Sequence, residues 1–375
     1  MFNAKGEFHS DTIVKLTIQG ENEEIFIESE QIFINTGAKD IIPNIKGITQ
    51  SKHIFTSKTL MNSPILPKHL LIIGGGFIAL EFAVIYANFG SKVTLLQRKE
   101  TFLEKEDKDI AESIYESFQQ KGIEILCGVE FVEIEDKGDI SILSIKHNRQ
   151  SLRLEADAIL SATGRDPNTQ SLCCDKAGVE LDIRGAVIVN DKLQSNVSHI
   201  YALGDVNGGA QFTYVLLDDY RIIVSNMCNT GYNRTKRKAF PSSVFIDPPF
   251  SKVGLSEKEA IKVGYEIKVV RLPAAMIPKA IVLKKPQGLL KAIINAKTNE
   301  ILGAMLFCEE SYEMINLIKL AIDLKLSYEM VKNQIYAHPT MSEAFNDLFN
   351  VREVKMASSI QVFDIASIYI SLDNI

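Results

Sequence analysis

The stretch that most constrains this chain is Leu70-Leu71-Ile72-Ile73-Gly74-Gly75-Gly76-Phe77-Ile78-Ala79-Leu80-Glu81. An apolar run of strand length meets three glycines and enters an amphipathic segment ending at Phe89, which reads as strand, tight turn and helix. Glycine suits such a turn because a side chain would hold a dinucleotide's pyrophosphate away from the backbone N–H groups and the positive helix end. Gly74, Gly75, Gly76, Phe77 and Ile78 are therefore candidate cofactor-binding residues, with Ala79 as an allowed variant of the third glycine. Gly90-Ser91 then ends the helix, and Val93-Thr94-Leu95-Leu96 supplies a second strand. The alternative is a chance glycine cluster in a strand-to-helix turn.

Gln97 falls about 20 residues beyond the glycines, where a carboxylate would bind the adenosine ribose of NAD. No carboxylate is present, and Arg98 and Lys99 follow at once, which favours the 2′-phosphate of NADP. Otherwise these cations are solvated loop charges.

The chain of 375 residues is long enough for two or three cored domains, and 46% hydrophobic with 23% charged residues is ordinary for a globular protein. A net charge of -6 without a basic cluster argues against nucleic acid as a partner. No apolar run reaches about 18 residues and the first residues lack a signal-peptide core, so a cytoplasmic location without membrane attachment is expected. The five cysteines form no C-x-x-C pair, which suggests reduced thiols, no metal site and no disulfide framework.

In chain order, residues 12–19, 24–27 and 31–35 read as strands of an antiparallel meander that runs into the small-residue turn Asn35-Thr36-Gly37-Ala38. Residues 109–120 form a helix with Ile110, Ile114 and Phe118 on one face, and strands follow at 123–126, 131–134, 140–145 and 156–160. That unit closes at Ala162-Thr163-Gly164-Arg165-Asp166-Pro167-Asn168, again with glycine at a strand end. Next, Leu203-Gly204-Asp205 ends a short strand ahead of a helical segment at 213–227. Asp205 is placed either to bind a sugar or polyol hydroxyl or to cap a helix.

Beyond residue 241 the character becomes α+β. Strands are expected at 243–245, 289–294 and 301–307, and helices at 256–263, 312–324 and 328–333. In His338-Pro339-Thr340-Met341-Ser342-Glu343, proline pushes His338 out of helical geometry and suits the first position of a helix carrying Glu343 in its first turn. The imidazole can fold back on the carboxylate as an acid/base pair, or serve a structural role alone.

These pieces, together and in this order, resemble the pyridine nucleotide-disulfide oxidoreductases, flavoproteins that include dihydrolipoamide dehydrogenase, glutathione reductase and mercuric reductase. Asn35-Thr36-Gly37-Ala38 looks like the family's Ala-Thr-Gly turn, Gly74 to Glu81 its NAD(P) turn, and Gly164 with its neighbours the second strand-end motif. Gly204-Asp205 looks like the site for the ribityl chain of FAD, and His338 with Glu343 the acid/base dyad. The stretch 204–214 and the end 338–349 are most similar to the reactive-chlorine-resistance (hypothiocyanous acid reductase) branch. The resemblance implies an α/β fold with a Rossmann-like NAD(P) domain at 51–170, set within a FAD-binding domain at 1–50 and 171–240. A dimerisation domain at 241–350 and an unmatched tail at 351–375 complete the expected organisation.

By the same resemblance the chain is an NAD(P)H-dependent FAD oxidoreductase acting as a homodimer on a small-molecule oxidant or disulfide. Hydride would pass from NADPH or NADH to FAD and then to a cysteine pair. Glu81 would stand near the nicotinamide, while His338 and Glu343 would handle protons at the other subunit's redox site. In the family an FAD-binding glycine turn and a C-x-x-x-x-C precede the meander in which this chain starts. An N-terminal truncation of about 90 to 100 residues, close to a small domain, is therefore expected. The alternative is a catalytically incompetent remnant that binds nucleotide or dimerises. A membrane-attached quinone reductase of related fold fits less well, since it would lack the His-Pro-x-x-x-Glu end.

Overall fold

The computed structural model describes residues 1–18, 20 and 23–350, so the expected tail at 351–375 lies outside the described residues. Strands β1 (Ala4–Phe8), β2 (Ile13–Ile18) and β3 (Glu24–Glu28) form the antiparallel meander, with Ala4 opposite Ile18 and Ile13 opposite Glu28. The strand expected to complete it does not. β4 (Ile32–Ile34) leaves the meander and pairs in parallel with Ile200–Ala202, because Ile34 is needed in a core with Ile200 and Ala202. β5 (Ala38–Asp40) runs antiparallel to Arg165–Pro167.

The chain then builds β6 (Ile54–Phe55), α1 (Ser57–Met61), β7 (His69–Ile73), α2 (Phe77–Asn88), β8 (Lys92–Leu96), α3 (Lys108–Gln120) and β9 (Glu124–Leu126). After the antiparallel excursion β10 (Glu130–Lys137), β11 (Ile140–His147) and β12 (Gln150–Ala156) it returns as β13 (Ala158–Ser161), ending in β14 (Arg165–Pro167). The parallel sheet has the order β6-β13-β7-β8-β9. Its central strand β7 buries Leu70, Leu71, Ile72 and Ile73 on both faces, which explains an uninterrupted apolar run. Helix α2 departs from the expected amphipathic pattern: the sheet packs on one side, the strand at Ser242–Val244 on another, and its sequence is apolar on nearly every face.

β15 (Ile200–Ala202) leads through a 3₁₀ turn to α4 (Thr213–Met227). The C-terminal unit follows as β16 (Ser242–Val244), β17 (Phe250–Gly254), α5 (Glu257–Lys262), β18 (Ile267–Pro273), α6 (Pro278–Val282), β19 (Leu289–Asn295), β20 (Ile301–Phe307), α7 (Ser311–Asp323), α8 (Tyr328–Lys332) and α9 (Ala344–Leu348). Its antiparallel sheet has the order β16-β17-β20-β19-β18.

This unit shares a core with the nucleotide unit. Val244, Phe250, Met305 and Phe307 pack in one cluster with Leu80, Phe82, Ile114 and Phe118. Charges clamp the same seam: Lys121 Nζ lies 2.7 Å from Asp247, and the buried Lys291 ammonium lies 2.8 Å from both Asp107 and Asp109 and against Glu257. Lys291 therefore fills the space between three carboxylates that could otherwise hold a cation. Burial opposes ionisation of Asp109, yet hydrogen bonds from Lys291 and Arg271 outweigh it and hold its carboxyl below the usual range.

Candidate active site

The C-terminal ends of β7, β8 and β13 open into a cleft of about 2080 Å³, which is also lined by residues 239–243, 245, 252–256, 312–313 and 315–316. That volume exceeds the roughly 300–1,000 Å³ that accommodates one drug-sized ligand. The structure brings Gly74, Gly75, Gly76, Phe77, Ile78, Glu81, Gln97, Arg98 and Gly164 to its wall.

The three glycines are needed for different reasons. Gly74 has φ +132°, and a Cβ there would sit 2.2 Å from the Ala162 carbonyl oxygen. A Cβ on Gly75 would sit 2.0 Å from Gln97 Oε1. A Cβ on Gly76 would meet nothing within 4 Å, so this residue, the uncapped N-terminal boundary of α2, faces the cleft. Unpaired amides at a helix start beside open space fit a dinucleotide's pyrophosphate.

Gln97 is buried, and its amide is engaged inward. Nε2 donates to the Lys99 and Thr101 carbonyls at 3.0 Å each and lies 3.3 Å from Cys127 Sγ. Its residue type thus shapes the loop and backs Gly75, where sequence spacing had pointed to a ribose contact. Arg98 is exposed, with its guanidinium 5.8 Å from the Phe131 ring centre, and Lys99 is paired with Glu104. Glu81 accepts the backbone N–H of Phe245 at 2.9 Å, so the C-terminal unit fixes its carboxylate in the cleft.

Thr36, Gly37, Gly204 and Asp205 gather in a neighbouring cluster around Arg165, which itself lines the cleft. Arg165 donates to Asp205 Oδ2 at 3.3 Å and to the Ala38 carbonyl at 2.8 Å, and its Nε lies 3.8 Å from Asp40. Thr36 Oγ1 donates to the Asn168 carbonyl at 2.8 Å, tying the two strand-end motifs together. Asp205 is the second residue of its 3₁₀ turn, so the helix-cap alternative does not hold. The N–H of Gly204 donates to buried Asp219 at 2.9 Å, and Arg237 pairs with that same carboxylate. Gly37 has φ +69° and nothing within 4 Å of an added Cβ, which leaves this surface open to a polyol or phosphate ester.

His338 and Glu343 form the expected pair, Nδ1 to Oε2 at 2.7 Å, and the His338 side chain is 70% exposed. The carboxylate is held in turn by the N–H of Thr340 at 3.2 Å. Pro339 does not open a helix: α9 starts at Ala344, with Glu343 as its N-cap, because the Thr340 hydroxyl binds back to the Ala337 carbonyl and keeps this segment a turn. Neither His338 nor Glu343 lines the cleft of its own chain.

Residues 3–219 match the family described as pyridine nucleotide-disulphide oxidoreductase, and residues 240–349 match its dimerisation domain. The chain belongs to the pyridine nucleotide-disulphide oxidoreductases. Within that family it is 44% identical over 326 residues to the probable pyridine nucleotide-disulfide oxidoreductase RclA of Escherichia coli, spanning 87% of this chain and 73% of RclA. A mercuric reductase of Staphylococcus aureus is 32% identical over 92% of this chain and 61% of its own length. The solved structure of HOCl-induced flavoprotein disulfide reductase RclA, as a Cu(II) complex, superposes with a TM-score of 0.88 at 41% identity, covering 92% of this chain and 77% of that one.

Pyridine nucleotide-disulphide oxidoreductases are FAD-dependent enzymes that use NAD(P)H, and this chain is an oxidoreductase of that flavoprotein type. The matches support this reading over that of an inactive remnant, and the dimerisation domain supports a homodimer. Arg165, Lys252 and the Phe245 amide were not singled out from sequence as site groups. Only Arg165 carried a signal, as part of a quoted motif.

Proposed function

We propose that this protein binds NADPH in preference to NADH along the cleft at the α2 N-terminus and FAD along the Arg165 cluster, and reduces a small-molecule oxidant or disulfide in the cytoplasm. The observation that carries the reading is the open space beside Gly76, at the start of α2, in a cleft that also holds Glu81, Arg98 and Gly164. Bound FAD would supply the two-electron relay between nicotinamide and a disulfide-type acceptor. The protein's own contribution is binding and proton control. Amides of residues 76–78 would hold the pyrophosphate, Arg98 a 2′-phosphate, and Asp205 a ribityl hydroxyl. Glu81 is positioned for the nicotinamide end by the Phe245 amide.

His338, oriented by Glu343 and exposed, would serve as proton donor and acceptor at the redox site of the partner subunit in the homodimer. None of the described helices is long and apolar enough to cross a membrane. Domain limits near residues 50, 170 and 240 follow from this division of roles. Purified protein should be yellow and lose its flavin absorption on adding NADPH under anaerobic conditions. A colourless protein whose nucleotide fluorescence does not change overturns the proposal.

A further inference from the structure

The cleft wall contributed by the C-terminal unit carries one ion pair with no part in the roles above. Glu106 in the loop before α3 and Lys252 on β17 both line the cleft. The Glu106 carboxylate is almost wholly buried, and its two oxygens take Lys252 Nζ at 2.6 and 2.8 Å. Lys252 Nζ also lies 5.9 Å from the ring centre of Phe77, the first residue of α2, and the lysine side chain keeps 32% exposure. An ammonium has three N–H donors, two are used on Glu106, and no third acceptor is found among the described residues.

We infer that Lys252 is a binding determinant for the nicotinamide dinucleotide, an inference that rests on the cofactor reading above. It acts by neutralising the Glu106 carboxylate, which would otherwise face the ligand's phosphates, and by offering its third N–H donor to the cleft. Removing the ammonium leaves a buried carboxylate at the edge of a site built for an anionic ligand, and in a desolvated cleft like charges repel far more strongly than in water. The pair spans the two units, so dinucleotide affinity depends on their docking.

The test is anaerobic titration of the FAD-loaded, full-length protein, fully reduced beforehand so that it cannot oxidise the ligand, with NADPH, read by nicotinamide fluorescence and by the rise in unfolding temperature that the dinucleotide produces. Lys252→Met should weaken NADPH binding about tenfold, a factor worth about 1.4 kcal/mol. Added salt should narrow the gap to wild type, because screening weakens the repulsion. Lys252→Met/Glu106→Gln should recover most of the loss, and Glu106→Gln alone should bind NADPH at least as tightly as wild type. A packing role for Lys252 predicts neither the rescue nor the salt effect.

Wild-type binding together with an unchanged Lys252→Met, or a double variant as weak as the single one, overturns the inference. If Lys252→Met does not fold, weaker binding by Glu106→Gln overturns it. Wild-type protein that binds neither NADPH nor NADH overturns the cofactor reading itself, and the inference with it.

Discussion

Gly74 and Gly76 are two residues apart and fail in opposite ways when substituted. Gly74→Ala places a methyl 2.2 Å from a carbonyl oxygen at φ +132°, which should cost about 1–3 kcal/mol of stability in a denaturant titration. Gly76 has φ -84° and open space before it, so Gly76→Ala should leave the unfolding midpoint unchanged while weakening NADPH binding several-fold in the same fluorescence titration. Arg98→Ala should lose more affinity for NADPH than for NADH, by about tenfold, since a charged hydrogen bond is worth roughly 1.5–3 kcal/mol. Equal losses for both dinucleotides would remove Arg98 from 2′-phosphate recognition. The glycine turn was legible in sequence because its chemistry is local to a dozen residues. The amide partners of Gln97 are carbonyls and a thiol assembled by loop closure, and sequence spacing carries no trace of them. Lys252 escaped notice because Glu106 is 146 positions away.

At the scale of elements, α3 and the loop before it bind the C-terminal unit through carboxylates. Glu106 meets Lys252, Asp107 and Asp109 meet Lys291, and Asp109 also meets Arg271 at 2.5 Å. Lys291→Met should lower stability by about 3–5 kcal/mol, because it strands buried carboxylates without their counter-charge. Asp109 and Asp247 both have carboxyls held low: burial pushes each up, and the bonds from Lys291 and Arg271, or from Lys121 and Lys285, prevail. Groups with depressed folded values contribute stability that is present above the unfolded value and lost as pH falls through the folded one. Thermal stability should therefore fall as pH drops below about 4, and less steeply in Lys291→Met, which has already lost part of the contribution. Some helices were legible from the 3.6-residue period: the helix expected at 109–120 is α3 (Lys108–Gln120). Strand partners were not, as β4 shows, because the partner is chosen by burial of Ile34 in a core assembled from residues far along the chain. β12, β17 and β18 were also missed, since polar residues break their apolar runs.

For the molecule as a whole, His338 and the cleft lie in different regions of one chain, a separation that makes sense in a homodimer. His338→Gln should reduce turnover about 10²–10⁴-fold with NADPH affinity and dimer mass unchanged by light scattering. An unaltered rate would exclude the imidazole from proton transfer. Fold class was readable from five motifs in sequence, whereas the seam between the two units was not, because it is written in residues that look like ordinary core. Phe250, Met305 and Phe307 complete the packing around α2 and α3. Chimeras that graft the front half of this protein onto the rear half of a relative would therefore inherit a mismatched greasy joint. Recombination within such a lineage is expected to succeed when both halves travel together, because the halves of one parent already fit at this joint.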